Sequence, residues 1–441
     1  MASKHNILLV QLGSPKTSKV SDVRSYLKEF LSDPRVVDLP RFFWMIILYC
    51  FILTFRPKKS AAAYKRIEFC GFFPLIELTK KFREKLSLRL GKNYNVKECF
   101  ILSEPRIEET TKDLQSFVYL PQFPQFSDTT TSSCTDRLAR VHPDWKENDK
   151  IKFIPQYHLL KAFIDLSAKQ IENQIKKYPA DFVIISFHGI PVRYVTQKGD
   201  PYYRQCCETF TMIKEQLNFD KDKIFMTFQS RLGSEQWLNP YTDEFATKLA
   251  HEKQGAKIAV YCPSFVCDCL ETIDEIGNEL QEEVEEHGGE LIFVPCLNVQ
   301  DEWVDAYANM IELYCEEKND EYETLFYKPE EHKVKENMPE LKQASKAFTP
   351  EQKSTVKVIF LTLFLDLIGF SIIFPMFPAL AKHYLEVDPD NFFLKLIFSS
   401  INVFTEAGSA QIGAVVLFGG ALGALYSILQ FFAAPLWGGL S

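Results

Sequence analysis

Seven short apolar runs constrain this chain more than any other feature. They are NILLVQLG (6–13), FVYLPQF (117–123), KIKFIPQ (150–156), FVIISFH (182–188), IFMTFQS (224–230), IAVYCPSF (258–265) and LIFVPCL (291–297). Each is mostly apolar rather than alternating, the pattern of a strand covered on both faces. Segments with helical periodicity lie at 21–33, 77–89, 105–116, 159–177, 201–217, 242–254, 268–286 and 301–318. Strand–helix alternation of this kind predicts an α/β architecture with parallel strands. No G-x-G-x-x-G follows the first strand and no P-loop occurs, so a nucleotide cofactor has no support.

The chain has 441 residues, enough for more than one folded unit. Its formal net charge is −8 and no basic stripe stands out, which argues against nucleic acid as a partner. The 38 phenylalanines suit apolar ligand pockets or membrane contact. The first residues, MASKHNILLVQLG, lack a signal-peptide layout, so the eleven cysteines are expected as free thiols. No paired CxxC occurs, and neither a zinc nor an iron–sulfur site is expected.

FFWMIILYCFILTF (42–55) is too short to span a bilayer. It reads as a buried helix or as an exposed apolar lip at a pocket mouth. RPKKSAAAYKRI (56–67) adds five basic residues beside it, suited to an anionic membrane surface or simply to a solvated helix start. Residues 326–356 are polar and charged and read as a linker. Beyond it, 357–441 reads as a membrane tail with two predicted transmembrane helices, at about 358–381 and 411–435.

Four places combine reactive groups with turns. His188 ends an apolar run and is followed by Gly189 and Pro191. Such a residue either caps a backbone group or does chemistry at the top of a sheet. Gln229, Ser230 and Arg231 follow another run, and LPQFPQFSDTTTSS (120–133) sets aromatics among hydroxyls. In CPSFVCDCLETIDEIGNE (262–279), an α-helical period puts Asp268, Glu271, Glu275 and Glu279 on one face. Stacked carboxylates repel unless they face solvent, hold protons or meet a cation.

Across about 1–325 the chain resembles the ferrochelatases. The matching stretches are LVQLGSP (9–15), FRPKKSAAAY (55–64), LPQFPQFSDTTT (120–131), ISFHGIP (185–191), TFQSRLGSEQWLNPYTDE (227–244) and CPSFVCDCLETIDEIGNE. The resemblance implies two similar Rossmann-like, chelatase-type parallel-sheet halves, about 1–160 and 161–325, around a porphyrin cleft. With the tail, the expected fold class is therefore α/β plus C-terminal transmembrane helices.

The implied reaction is insertion of Fe²⁺ into protoporphyrin IX, forming protohaem and releasing two protons, the last step of haem biosynthesis. The alternatives are a catalytically impaired porphyrin- or haem-binding protein, and a chelatase for another metal or for coproporphyrin III. The resemblance places the catalytic pair on His188 and Glu271 and the metal contacts on His188, Glu271 and Glu275. It places the porphyrin contacts on Phe265, Ser186, Ser127 and Phe123. Fe²⁺ is then a substrate, with no tightly bound cofactor.

Three departures from the family pattern stand out. Ile101 and Leu102 take the places of an Arg-Tyr pair, and Phe123 and Phe126 those of tyrosines. Asp128 takes that of an iron–sulfur ligand of the animal enzymes, which speaks against a cluster. The tail resembles the first two helices of a major-facilitator transporter. Membrane contact is expected through the lip at 42–55 and through the tail, with the soluble domain at the cytoplasmic face of a bacterial inner membrane, as a monomer or homodimer.

Overall fold

The computed structural model describes residues 5–233 and 235–328, with positions 383 and 387. The chain divides into two compact units, Met1–Leu341 and Lys342–Ser441.

The apolar runs form two four-stranded parallel sheets. The first contains β1 (His5–Gln11), β2 (Tyr94–Phe100), β3 (Phe117–Pro121) and β4 (Ile151–Phe153), in the order β2-β1-β3-β4. The second contains β5 (Phe182–His188), β6 (Ile224–Gln229), β7 (Lys257–Tyr261) and β8 (Glu290–Val294), in the order β6-β5-β7-β8. The two orders are the same, so each sheet reverses direction at its first strand. In open α/β sheets that reversal point, at the carboxyl ends of the strands, is where ligands bind. His188 is the last residue of β5 and stands at it. Two parallel-sheet halves therefore agree with the sequence reading.

β2 was not among the seven apolar runs. It is an edge strand with half-exposed Lys97 and Glu98, paired in register with β1 from His5↔Tyr94 to Gln11↔Phe100. Ile101 and Leu102 follow it into the first-half core, their amides donating to the carbonyls of Gln11 and Leu12. Apolar side chains at those two places thus have a packing role.

The halves are stitched together by elements that cross over. The helix Asp301–Cys315 follows the last strand but packs on Pro74–Leu90 of the first half. Trp303 and Tyr307 join Phe82, Tyr157 and Phe163 there, with the Trp303 and Tyr307 ring centres 5.1 Å apart and Phe82 edge-on to Tyr307 at 5.4 Å. The Gln122 side-chain amide donates to the buried Tyr307 hydroxyl at 2.6 Å.

Three segments have wide turns bonded i→i+5, a form usually confined to single turns near functional sites. They are Leu48–Ile52, Asp128–Ser132 and the unusually long Leu270–Leu280. The first interrupts the greasy segment. Trp44 and Leu48 anchor that segment to the core, whereas Phe42, Phe43, Phe51 and Phe55 stand exposed, so it is a lip and not a buried helix.

The transmembrane part of the fold expectation is corrected. Among the described residues no helix is long and apolar enough to cross a membrane. The lip is split into short pieces and runs into a helix, Leu53–Ile67, that carries five cations. The expected spans at 358–381 and 411–435 lie outside the described residues. Attachment through lip and tail, and with it a place at an inner-membrane face, is not supported.

Replacing Trp303 by alanine removes the centre of the inter-half aromatic cluster. Denaturant unfolding should register a loss of about 3–5 kcal/mol. A loss below 1 kcal/mol would mean the cluster does not hold the helix Asp301–Cys315 in place.

Candidate functional site

β5 is fully buried up to Phe187 and apolar apart from Ser186, and only His188 at its end is partly exposed. Gly189 lets the chain turn there. Its amide donates to the Gln229 carbonyl at 2.8 Å, and a Cβ on it would lie 2.8 Å from that same oxygen and 3.2 Å from Trp237. The backbone of His188 is held by Ser264, whose Oγ accepts its amide at 3.2 Å, and by Tyr202, whose hydroxyl donates to its carbonyl at 2.9 Å.

The imidazole Nδ1 lies 2.6 Å from the Gly189 carbonyl. A carbonyl can only accept, so Nδ1 carries the proton and, in the neutral ring, Nε2 keeps its lone pair. Burial holds the ring below its usual pKa, against the opposing pull of Glu271 and of the Gly189 carbonyl. His188 is thus a neutral base at pH 7. Phe265 stands edge-on to it, ring centres 6.2 Å apart.

Glu271 and Glu275 lie on the wide helix Leu270–Leu280, four residues apart and so one above the other in broad turns. Gln229 links this helix to the histidine strand. Its Nε2 donates to the Glu271 carbonyl at 2.8 Å, while its Oε1 accepts from Ser186 at 2.8 Å and from the Cys262 thiol at 3.2 Å. Glu275 accepts the Ser230 amide at 2.6 Å and the Ser230 hydroxyl. Ser230 adopts φ +64°, an uncommon left-handed conformation that aims both donors at one carboxylate. Burial, reinforced by Glu271, pushes the Glu275 carboxyl up to about 7, although the Ser230 and Gln229 hydrogen bonds pull it down.

Two buried tyrosines of the first half, Tyr26 and Tyr64, feel the Glu271 charge, which adds to the effect of burial in raising their pKa values. Their rings meet edge-on at 6.0 Å. Glu271 is therefore approached from both halves.

The four-carboxylate stripe expected on one α-helical face does not form. Asp268 precedes the helix and is buried, accepting from Thr272, Asn298 and the Cys296 amide. Glu279 pairs with Arg66 at 2.8 Å. Only Glu271 and Glu275 remain of the stripe. Among the described residues, no group of three or more His, Cys, Asp or Glu stands placed to hold a metal ion.

The residues expected to contact porphyrin separate as well. Phe265 is beside His188. Phe123 is half-buried against the first-half core, as are Leu270 and Ile273 of the wide helix. Ser186 is wholly enclosed, bonded to Gln229 and Thr242. Ser127 is also enclosed and caps the turn Asp128–Ser132, its hydroxyl donating to Asp200 at 2.9 Å. Both serines are thus enclosed among protein partners. Asp128 is bonded by Ser132 and faces Arg35 at 3.6 Å.

The family profile described as Ferrochelatase matches residues 4–314. The chain belongs to the ferrochelatase family. Its activity is ferrochelatase-type metal insertion into a porphyrin. A protein named Ferrochelatase from Idiomarina loihiensis is 39% identical over 323 residues, covering 70% of this chain and 88% of that protein. Ferrochelatase 2 of Shewanella oneidensis is 37% identical over 322 residues, 70% of this chain and 98% of its own length. Ferrochelatase of Brucella anthropi is 38% identical over 321 residues, 70% of this chain and 91% of its own. The family match ends at residue 314, so the transporter resemblance expected of the tail is not supported.

Two measurements check this ferrochelatase site. Gly189→Ala should push Gln229 and His188 apart and lower turnover roughly ten- to a hundredfold, and full activity would mean the close approach is dispensable. The second concerns Glu275. Its folded pKa of about 7 exceeds its ordinary value of 4.5, so the folded protein binds the proton more tightly between them. This carboxyl therefore costs stability progressively as pH rises from 4.5 to 7, and fully above. Glu275→Gln should gain up to about 3 kcal/mol at pH 8 relative to pH 4.5. Parallel stability curves for parent and variant would refute it.

Proposed function

We propose that the chain inserts ferrous iron into protoporphyrin IX, with His188 as proton acceptor and Glu271 and Glu275 handling the metal. The observation that carries this reading is the pairing of an Nδ1-protonated, neutral His188 with two carboxylates on one wide helix. A free-base porphyrin must lose two pyrrole protons before its four nitrogens hold Fe²⁺. Nε2 of His188 takes a pyrrole proton, breaking N–H as the N–Fe bond forms. The carboxylates replace water around the entering ion and balance its charge. Glu275, poised near neutrality, can accept the second proton as easily as release it to solvent.

Phe265, edge-on to the imidazole, supplies an apolar wall for the macrocycle, and Phe123 supplies another from the first half. Ser186 and Ser127 support the porphyrin site through Gln229 and Asp200. Iron enters as substrate. The catalytic domain is read as 1–325, in halves of about 1–160 and 161–325, followed by a polar linker at 326–356.

The test is metallation followed by absorbance, with protoporphyrin IX and coproporphyrin III side by side under anaerobic Fe²⁺. The parent should metallate protoporphyrin, and His188→Ala or Glu271→Ala should lose at least about a hundredfold in rate. Full rates in both variants would overturn the residue assignment, and preference for coproporphyrin would overturn the substrate.

A further inference from the structure

We propose that Tyr202 is a positioning residue for His188, acting with Ser264 through a closed hydrogen-bond circuit around the histidine backbone. The inference rests on the role given to His188 above.

The circuit follows from donor and acceptor types. The His188 amide can only donate, and it reaches the Ser264 Oγ at 3.2 Å. The His188 carbonyl can only accept, and the Tyr202 hydroxyl lies 2.9 Å from it. Tyr202 Oη and Ser264 Oγ are 2.8 Å apart. The Tyr202 proton is committed to the carbonyl, so Ser264 must donate and the tyrosine oxygen accept. Within the circuit three donors meet three acceptors, and the buried Cys206 thiol also lies against the Tyr202 hydroxyl. Tyr202 is 5% exposed and Ser264 8%, so water does not compete.

This circuit clamps the peptide groups on both sides of the His188 Cα. Only the side chain is then left to choose a direction, and Nδ1 is already tied to the Gly189 carbonyl. Phe265, the residue after Ser264, packs against the same ring. The anchor also extends to the first half. The Tyr202 amide donates to Asp200 Oδ1 at 2.9 Å, and Asp200 Oδ2 accepts the Ser127 hydroxyl and the Asp128 amide. Tyr202 never touches the reacting atoms on this account. It fixes the aim of Nε2.

The experiment compares steady-state metallation of protoporphyrin IX by the full chain in Tyr202→Phe, Ser264→Ala, the double variant, and each in a His188→Ala background. Tyr202→Phe should lower kcat about tenfold with porphyrin KM unchanged, because aim is lost while the pocket is kept. Ser264→Ala should do likewise. The double variant should fall no more than about twofold below the worse single, since the circuit is already open. Neither change should lower the residual rate of His188→Ala further. Porphyrin fluorescence quenching, unaltered in Tyr202→Phe, separates a mis-aimed base from a damaged fold.

The proposal is overturned if Tyr202→Phe keeps kcat within about twofold of the parent. It is equally overturned if the two losses multiply, or if KM rises while kcat holds. Should Tyr202→Phe fail to fold, Ser264→Ala carries the same expectations and the same refutations. A fully active His188→Ala would sink both this proposal and the assignment it rests on. An inactive His188→Ala beside a normal Tyr202→Phe would sink this one alone.

Discussion

Arg66 grips Asp274 with both arms of its guanidinium, at 2.6 Å each, and reaches Glu279 with one of them. Arg66 comes from the first half and Asp274 from the wide helix of the second. The carboxylate is buried, so this fork meets it in a poorly solvated place where geometry decides the balance. Asn278 adds a fourth hydrogen bond to the cluster. The next residue along, Glu275, is held from its own half by Ser230. Two consecutive residues are thus gripped from different halves, and the rotation of the helix is fixed. Glu271 takes its direction from that. Leaving Asp274 unpaired would cost on the order of 3 kcal/mol and would free the helix to turn.

The site built on this frame works by withholding water from groups that want it. His188 is kept neutral by burial, although a carboxylate lies near. Glu275 is kept half-protonated near neutrality by burial and by its neighbour Glu271, although three hydrogen bonds favour the ion. In each case desolvation outweighs the specific contacts. The result is an imidazole that stays uncharged and a carboxyl that titrates near neutrality, which suits moving protons and a dication. The Gln229 amide keeps the two sides in register, with its orientation fixed because its oxygen already accepts from Ser186 and Cys262.

Much of this was legible in the sequence. Strands covered on both faces betray themselves as apolar runs, so seven of the eight strands could be seen. β2 escaped because its outer positions are charged. His188, Glu271, Glu275 and Phe265 were found through motif resemblance and do converge. Ser186 and Ser127, expected as porphyrin contacts, lie enclosed among Gln229, Thr242 and Asp200, long-range partners that a sequence does not reveal. The acidic stripe misled because it was laid on an α-helical period. The wide turns redistribute it, and Asp268 is drawn into a loop by Asn298. Tyr202 sat unremarked in the predicted helix 201–217. Its partners are 14 and 62 residues away, and only the parallel pairing of β5 and β7 brings them together.

The wide helix Leu270–Leu280 has one more implication. In a helix bonded i→i+5, the residue count between two side chains sets whether they share a face, as it does in any helix, but with a different period. Loss of a single residue between Glu271 and Glu275 would not shorten a loop. It would swing one carboxylate out of line with the other and pull Asp274 from Arg66 at the same stroke. The length of this stretch is therefore a chemical quantity. A substitution inside it changes one contact, whereas an insertion or deletion rewrites the site.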